Sequence, residues 1–282
     1  MIEYYVMSNS NFVRIKKTFS IEKIADSGQI FRFYKIDDKT YDLFHVDKRL
    51  RINIEDKYYV LNCDKKTYDS IYKRYFDLVK SNNSYSYVEN ILSKKDKFLK
   101  SCVLEGCGLR ILNQDPYEML ISFIISQRKS IKAIQTSIEK ICKFCGKKKK
   151  DKFGEYYAFP NPIEILSKSD KLASCSLGYR VEYVIDACEK VISKEIDLYS
   201  KKTQELSDEN LTSYLMKVKG VGIKVASCVV LFAYHRFSIC PIDVWIKRVL
   251  DKYYKSEIPA KYKEYAGLVQ QYWFIYAKNN GL

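Results

Sequence analysis

A bilayer-spanning segment is the first feature that the sequence lacks. None of its apolar runs approaches the length of a membrane span, and its start, MIEYYVMSNS, lacks the charged-then-apolar layout of a signal peptide. These absences argue against a membrane or exported protein, so we expect a cytoplasmic protein with nine reduced cysteines. An internal repeat is also absent. A chain of 282 residues that is 47% hydrophobic can bury one substantial core or two contiguous ones.

The cysteines lack the spacing of a zinc site. Two residues separate Cys142 from Cys145, and four separate Cys102 from Cys107. Neither pair has a matching second pair at a zinc-like distance, and Cys142 falls on the apolar face of a predicted helix. We therefore do not expect these cysteines to be metal ligands.

Acidic residues are too few to balance the basic ones. The 49 Lys and Arg residues against 34 Asp and Glu give a formal charge of +15. This charge favours a polyanionic partner such as nucleic acid, because each neutralised phosphate releases counterions. An AT-rich genome also gives a composition rich in lysine, isoleucine and tyrosine, and hence the same excess of basic residues. The charge alone therefore does not establish nucleic-acid binding. We interpret the lysine run at 147–150 as an exposed, solvated loop rather than a direct DNA contact.

The first hundred residues alternate apolar and polar side chains with a period of two. The alternation is most regular in LRINIE at 50–55, and it recurs at 31–34 and 41–44. Polar turns between such runs predict an antiparallel sheet with one solvated face. A helix is predicted at about 67–80, and another from near Tyr85.

The remainder of the chain has helical signals. Asp115 is followed by a proline at the first helical position and a glutamate at the third, an arrangement typical of a capped helix start. Asn161 begins the same arrangement, and Ser207 is a further candidate cap. The run at 119–125 is apolar all round, which predicts a centrally buried helix.

One segment carries the chemistry. At 211–245 the chain reads LTSYLMKVKGVGIKVASCVVLFAYHRFSICPIDVW, which predicts a short helix, a hairpin at Gly220, Val221 and Gly222, and a second helix. The glycines let the backbone turn tightly and expose amides, which form a phosphate site with the start of the second helix. A lone hairpin of this kind would be a packing corner between helices. Lys224 just beyond it favours DNA binding.

Lys224 and Asp243 are the candidate catalytic pair. Lys224 lies in the first turn of its helix, where the positive end of the helix dipole disfavours the ammonium form of an amine. A neutral lysine attacks an electrophilic carbon and forms a Schiff base. Asp243 is a natural cap for a helix that begins near Val244, and its charge also stabilises the cationic sugar that develops as a base departs. We expect both roles of Asp243 to hold.

Together these residues resemble the helix-hairpin-helix DNA glycosylase superfamily of endonuclease III type, and within it the 8-oxoguanine DNA glycosylase branch in a bacterial, clostridial-like form. The matching segments span essentially the whole chain: SGQIFRF at 27–33, QDPYE at 114–118, SFIIS at 122–126, LGYR at 177–180 and YAG at 265–267. The iron–sulfur cysteine cluster of many endonuclease III relatives is missing, because no cysteine follows Cys240.

The resemblance implies an α+β architecture. An N-terminal antiparallel β-sheet domain with helices at 1–100 precedes a mainly α-helical domain at 101–282. The helix-hairpin-helix unit lies at about 211–234, and the C-terminal helix can pack back towards the sheet domain.

The resemblance also implies an activity and a partner. The activity is removal of 8-oxoguanine from duplex DNA by base flipping and lysine attack at C1′, with an associated β-elimination (AP lyase) step. No cofactor is required, although a K⁺ or Na⁺ ion at the hairpin is consistent with the family. The expected partner is double-stranded DNA containing 8-oxoguanine, and the protein is expected to be a nucleoid-associated monomer.

By the same resemblance, Lys224 is the nucleophile and Asp243 its carboxylate partner. The base pocket has four residues, of which Cys228 and Phe274 sandwich the flipped base and Gln270 bonds its Watson–Crick edge. The carbonyl of Gly28 accepts the N7 hydrogen that 8-oxoguanine has and guanine lacks. Taken alone, the cysteine and the phenylalanine could equally be ordinary core residues.

The remaining implied residues contact DNA or a cation. Tyr179 fills the gap that the extruded base leaves, and Arg180 reads the orphaned cytosine. Arg128 and the hairpin are further DNA contacts. The backbone carbonyls that hold the monovalent cation in the superfamily fall at Met216, Val218 and Val221.

The sequence departs from the family pattern at three places. An asparagine run becomes Arg128, Lys129 and Ser130, a second cytosine-reading arginine becomes Ala133, and a histidine two residues after the catalytic aspartate becomes Trp245. The first two departures predict a relaxed preference for the opposite base.

Two alternatives remain. A glycosylase for an alkylated base or an oxidised pyrimidine is disfavoured by Lys224 and by the residues of the base pocket, respectively. A non-catalytic DNA-binding protein would use the hairpin for backbone contact only, and it gives no reason for the position of Asp243.

Overall fold

The computed structural model describes the backbone of residues 5–8 and all atoms of residues 11–78 and 83–282. The chain divides into two compact units. The first comprises Met1–Leu43, Leu50–Asn113 and His235–Leu282, and the second comprises Phe44–Arg49 and Gln114–Tyr234. Within the described ranges, no helix has the length and apolar character needed to cross a bilayer.

A six-stranded sheet contains the strands β1 (Tyr5–Ser8), β2 (Val13–Lys16), β3 (Phe33–Asp37), β4 (Thr40–His45), β5 (Lys48–Ile54) and β6 (Tyr58–Leu61), in the order β1-β2-β6-β5-β4-β3. The antiparallel sheet predicted from the alternation is confirmed. Leu50 and Ile52 of β5 are buried, as the pattern requires. The predicted solvated face is interrupted on β4, where Asp42 is buried because Arg51 covers it with two hydrogen bonds of 2.7 Å.

The helices of the first unit are α1 (Ile21–Asp26), α2 (Lys65–Thr67), α3 (Lys73–Tyr75), α4 (Asn83–Tyr87), α5 (Lys97–Gly106), α13 (Val244–Tyr253) and α14 (Ala266–Asn279). The helix predicted at about 67–80 begins at Lys65, passes through a π-helical turn and ends at Tyr75. Part of the predicted end, at 79–80, lies outside the described residues. The helix predicted from near Tyr85 begins at Asn83.

The C-terminal helix α14 belongs to the same unit as the sheet. It packs against α5 so closely that a Cβ atom on Gly106 would lie 2.6 Å from the ring of Tyr272. Trp273 of α14 is fully buried. The first unit is therefore built from segments on both sides of the predicted boundary at residue 100. It includes the C-terminal helix, which was expected to pack back towards the sheet domain.

The second unit contains α6 (Pro116–Ser126), α7 (Ile131–Cys145), β7 (Lys148–Asp151), β8 (Gly154–Tyr157), α8 (Pro162–Leu166), α9 (Arg180–Ile192), α10 (Lys201–Gln204), α11 (Asp208–Leu215) and α12 (Ile223–Ala233). Three predicted caps are confirmed, because the side chains of Asp115, Asn161 and Ser207 accept hydrogen bonds from the first turns of α6, α8 and α11. Helix α6 is buried along nearly its whole length, as its apolar sequence predicts.

The lysine run at 147–150 is not a loop as predicted, because most of it forms strand β7 in a hairpin with β8. Three of its lysines form ion pairs with carboxylates, namely Lys147 with Glu164, Lys148 with Glu155 and Lys149 with Asp47. These carboxylates lie far away in the sequence or across the hairpin, so the run alone could not reveal them.

Candidate active site

The hairpin between α11 and α12 is built as the sequence predicts. Gly220 has a φ of +75°, a left-handed conformation that favours glycine. The N–H of Val221 donates to the carbonyl of Val218 over 3.0 Å, which closes the turn. Gly222 caps α12 without a side chain, and both it and Ile223 are exposed. The first amides of α12 are thus accessible to an anion.

Helix α9 holds this hairpin in place. The ring of Tyr183 lies directly against Gly220, where an added Cβ atom would come within 2.2 Å of it. Lys219 donates from its backbone N–H to Asp186 and from its Nζ to Glu182, both over 2.7 Å. Sequence analysis missed this support. The three side chains of α9 share one helical face by their three- and four-residue spacing, but the sequence does not show what covers that face.

Lys224 and Cys228 lie one turn apart on α12. Lys224 is half-buried, and its Nζ atom lies 5.4 Å from the centroid of the Phe123 ring of α6. Cys228 is buried, at 3% exposure. The two helices also meet through Phe123 and Phe232, whose rings stack at 5.6 Å. This packing fixes the backbone from which the amine of Lys224 projects.

Asp243 caps α13 in the first unit. Its Oδ1 atom accepts a hydrogen bond of 2.9 Å from the N–H of Ile246, which confirms the predicted cap. Within the described part of the chain, its Oδ2 atom has no hydrogen-bond partner. One carboxylate oxygen therefore holds the helix start while the other is available to a ligand. Trp245 follows in the first turn, with the guanidinium of Arg248 5.5 Å from its ring.

Gly28 and Phe274 are brought together in the first unit. Gly28 has a φ of +73°, and a Cβ atom there would lie 3.0 Å from Cζ of the Phe274 ring. Gln270 precedes Phe274 by one turn on α14, and both side chains are buried. The Oε1 atom of Gln270 accepts a hydrogen bond of 3.0 Å from Nε2 of Gln271. Three of the four predicted pocket residues are thus in this unit, two of them in contact.

A neighbouring glutamine positions the Gly28 turn. Gln29 is fully buried, and its Nε2 atom donates to Ser27 Oγ over 2.8 Å and to the Arg110 carbonyl over 2.9 Å. Its Oε1 atom accepts from the N–H of Leu112 over 2.7 Å. The motif SGQIFRF contains Gln29, but the sequence does not show that its side chain is buried, because its partners Arg110 and Leu112 lie 81 and 83 residues away.

Tyr179 and Arg180 form the start of α9. The Tyr179 side chain is half-exposed, and its ring meets that of Tyr183 edge-on at 5.7 Å. Arg180 is buried, with its guanidinium 4.3 Å from the Tyr179 ring. One guanidinium nitrogen donates to the Leu177 carbonyl over 3.0 Å, and the other donates to the Gln127 carbonyl. Arg180 thus supports the exposed tyrosine from beneath.

Two of the departures from the family follow Gln127, whose carbonyl accepts the hydrogen bond from Arg180. Arg128 is exposed and has a φ of +50°, an uncommon conformation for a residue with a side chain. Ala133 is exposed in the first turn of α7, where its N–H binds the capping Ser130 over 3.3 Å. No side-chain donor stands at position 133.

The predicted site residues divide between the two units. The first unit carries Gly28, Asp243, Gln270 and Phe274, and the second carries Arg128, Tyr179, Arg180, the hairpin with Met216 and Val218, Lys224 and Cys228.

Two family models match successive parts of the chain. Residues 12–120 match the N-terminal domain of 8-oxoguanine DNA glycosylase. Residues 121–273 match the HhH-GPD superfamily of base excision DNA repair proteins.

Curated relatives match over part of their length. A Saccharomyces cerevisiae N-glycosylase/DNA lyase is 33% identical over 178 residues, which are 59% of this chain and 47% of that protein. A probable N-glycosylase/DNA lyase of Methanothermobacter thermautotrophicus is 27% identical over 219 residues, which are 67% of this chain and 69% of that protein. The chain therefore spans less than half of the yeast protein.

Solved structures match over the full chain. The structure of MBOgg1 with a low-affinity DNA ligand has a TM-score of 0.91 and 32% identity, and the match covers 100% of both chains. A Clostridium acetobutylicum 8-oxoguanine glycosylase/lyase, bound to duplex DNA with cytosine opposite 8-oxoguanine, has a TM-score of 0.88 and 29% identity over 99% of this chain and 100% of that one.

Proposed function

The chain belongs to the HhH-GPD superfamily of base excision DNA repair proteins and carries the N-terminal domain of 8-oxoguanine DNA glycosylases, and from this we propose that it excises 8-oxoguanine from duplex DNA and then cleaves the strand as an AP lyase. The position of Lys224 carries the proposal. This lysine lies in the first turn of α12, two residues after Gly222, and its Nζ atom lies 5.4 Å from the centroid of the Phe123 ring. Its amine would therefore lie near a sugar–phosphate backbone bound at the hairpin.

The chemistry requires one nucleophile and one carboxylate. The neutral amine of Lys224 attacks C1′, and the bond from C1′ to the base breaks with its electron pair leaving on the base, which takes up a proton. Loss of the amine proton and opening of the sugar ring then give an imine, which promotes β-elimination of the 3′ phosphate. Asp243 stabilises the positive charge that develops on the sugar.

Discrimination of the lesion rests on Gly28. The N7 atom of guanine is an acceptor, whereas N7 of 8-oxoguanine carries a hydrogen. The carbonyl of Gly28 accepts a hydrogen bond from N7–H of 8-oxoguanine. It repels N7 of guanine, because two facing lone pairs leave both acceptors unsatisfied. Phe274 supplies an apolar face beside Gly28 on which a flipped base can stack, and Cys228 is proposed as the opposite face.

Borohydride trapping on a duplex with one 8-oxoguanine tests the proposal. A covalent protein–DNA band is expected with this duplex and not with an otherwise identical guanine duplex. Trapping only on an oxidised pyrimidine would assign another substrate. Release of an alkylated base without any covalent band would indicate a glycosylase without a lysine nucleophile. DNA binding with neither trapping nor base release would leave a non-catalytic binding protein.

Gly28→Ala is expected to slow excision of 8-oxoguanine by about tenfold or more. The new Cβ would press on the Phe274 ring at 3.0 Å, and the left-handed backbone adds about 1–2 kcal/mol of strain. Trapping on a duplex with a ready-made abasic site should stay near the wild-type level, since no base has to enter the pocket. Gly281→Ala is the matched control, because its φ is +63° and its Cβ would meet open space. Equal excision by Gly28→Ala and wild type would remove Gly28 from the pocket.

The preference for the opposite base is expected to be relaxed. Ala133 cannot bond a base edge, and each good base contact contributes about 1–3 kcal/mol of discrimination. Arg180 donates to two backbone carbonyls and keeps further N–H donors, so it remains a candidate for reading a cytosine. We expect single-turnover rates opposite adenine, guanine and thymine within about tenfold of the rate opposite cytosine. A hundredfold cytosine preference would mean that Arg128 or another residue supplies the missing contact.

The proposal also includes a monovalent cation at the hairpin and a location on the DNA of the nucleoid. The carbonyls of Met216, Val218 and Val221 lie in one hairpin and are hard oxygen donors of the kind that K⁺ or Na⁺ prefers. An ion there would stiffen the hairpin without taking part in the reaction. The proposed partner is duplex DNA containing 8-oxoguanine in the nucleoid, bound by a monomer that needs no other cofactor.

A further inference from the structure

Two lysines of the second unit converge on one serine. The Nζ atom of Lys129 donates to the Ser176 carbonyl over 2.5 Å and to Ser137 Oγ over 2.6 Å. The Nζ atom of Lys140 donates to Ser176 Oγ over 2.9 Å. Ser176 has a φ of +59° and ends a short 3-10 helix, so its carbonyl and hydroxyl both stand clear of regular structure. We call Lys129, Lys140 and Ser176 the Ser176 cluster.

The cluster holds positive charge without an acidic partner. Counting only the described residues, no carboxylate forms an ion pair with Lys129 or Lys140. The third nearby cation is Arg180, whose Nε atom is buried without a hydrogen-bond partner. Burial, and then the charges of Arg180 and Lys140, lower the pKa of the Lys129 ammonium. Three cations therefore lie close together at a largely exposed site, and an anion would relieve their mutual repulsion.

The lysine run around β7 provides the contrast. Its three lysines at 147–149 each have a carboxylate partner, so their charge is already balanced within the protein. The run is the most conspicuous basic segment of the sequence, yet three of its lysines already form ion pairs with carboxylates of the protein. The Ser176 cluster takes one lysine, Lys140, from α7 and the other, Lys129, from the segment just before α7. The two lysines are eleven residues apart, so no run of basic residues marks the cluster in the sequence.

The cluster also lies beside the residue that is proposed to enter the DNA. Ser176 precedes Tyr179 by three residues, and Arg180 both approaches Lys129 and supports the Tyr179 ring. The hairpin is connected to the same ring through Tyr183, which contacts both Tyr179 and Gly220. The hairpin is one candidate anion site, and α9 connects it to Tyr179. The Ser176 cluster would be a second anion site connected to the same tyrosine.

We propose that the Ser176 cluster binds a backbone phosphate of the DNA next to Tyr179, which rests on the proposed function because it takes DNA as the ligand. The two ammonium groups exchange their bonds to Ser176 for bonds to the phosphate oxygens, and the Ser176 hydroxyl becomes free to donate to the same phosphate. Phosphate contacts of this kind fix the register of a protein on a duplex without reading sequence. Here they would hold the backbone while Tyr179 occupies the gap in the stack.

A methylphosphonate scan tests the proposal. Single uncharged methylphosphonates are placed along both strands around an 8-oxoguanine, and affinity is measured for wild type, Lys129→Met, Lys140→Met and the control Lys148→Met, whose lysine pairs with Glu155. At one position the substitution should weaken wild type and the control about tenfold, and weaken both cluster variants less than twofold. The cluster variants should also lose about 0.9 from the slope of log affinity against log salt, the value for one phosphate. Melting temperatures confirm that all variants are folded.

The outcomes separate the two levels of inference. If no position loses its effect in the cluster variants, the cluster does not contact DNA and the proposal fails. If inorganic phosphate raises the melting temperature of wild type alone, with no coupled position in the scan, the cluster binds a free anion and the DNA assignment fails. Borohydride trapping depends on the proposed nucleophile Lys224 and not on Lys129 or Lys140, so it tests the proposed activity independently. If one methylphosphonate position loses its effect in the cluster variants but no adduct is trapped, the proposed activity is wrong and the phosphate site stands. If an adduct is trapped but no position loses its effect, the activity stands and the phosphate site is wrong.

Discussion

Lys224→Gln is expected to abolish the borohydride-trapped adduct on 8-oxoguanine DNA and to reduce single-turnover base release by about a thousandfold or more. An amide nitrogen is not a nucleophile, so no bond to C1′ forms. Glutamine still has a chain that can lie on the Phe123 ring, and the hairpin amides are untouched. DNA affinity, measured by fluorescence anisotropy, should therefore remain within a few-fold of wild type.

Lys217→Gln is the matched control, since it removes an exposed cation from the same hairpin and leaves the proposed nucleophile in place. It should weaken binding slightly and trap normally. If Lys224→Gln cuts lesion DNA at close to the wild-type rate, the nucleophile is wrongly assigned and another amine must be sought.

Asp243→Asn is expected to slow base release by about two to three orders of magnitude with little change in stability. Asparagine caps helices about as well as aspartate, so its Oδ1 atom can keep the hydrogen bond to the Ile246 N–H. The negative charge is lost, and with it the stabilisation of the cationic sugar. Melting temperature and single-turnover rate, measured on the same preparation, separate the two roles.

Asp64→Asn is the matched control, because it makes the same change at the cap of α2. It should alter neither the melting temperature nor the single-turnover rate. An Asp243→Asn protein that fails to fold would show that Asp243 is chiefly structural. Full activity in a folded variant would show that its charge is not needed, and the carboxylate role would have to be reassigned.

Features that depend on local sequence were predictable. The caps at Asp115, Asn161 and Asp243 follow from a side chain that reaches an amide three residues ahead, so no distant residue is required. The hairpin follows from its two glycines for the same reason. The strands around residue 50 follow from alternation, since one covered face imposes a period of two.

Features that depend on distant partners were not predictable. The role of Tyr183 becomes visible only when Gly220 packs against it, and the burial of Arg180 depends on a carbonyl at Gln127. The lysine run is largely exposed, as predicted, but its strand and its ion pairs were not predictable because the carboxylate partners lie elsewhere in the chain or across the hairpin. The pocket residues came from family resemblance, and the contact between Gly28 and Phe274 gives that assignment its first geometric support.

The division of the chain also bears on its synthesis. A ribosome that has reached residue 234 has made every segment of the second unit, including α12 with Lys224, but has not yet made α13 and α14. Domains tend to fold as units while the chain emerges. The nucleophile can therefore enter folded structure before Asp243, Gln270 and Phe274 exist. A nascent or truncated chain of this kind can present its hairpin to DNA, but it lacks the carboxylate and two of the four pocket residues, Gln270 and Phe274. The order of translation thus separates the ability to bind DNA from the ability to excise a base from it, and the segment after residue 234 supplies the second.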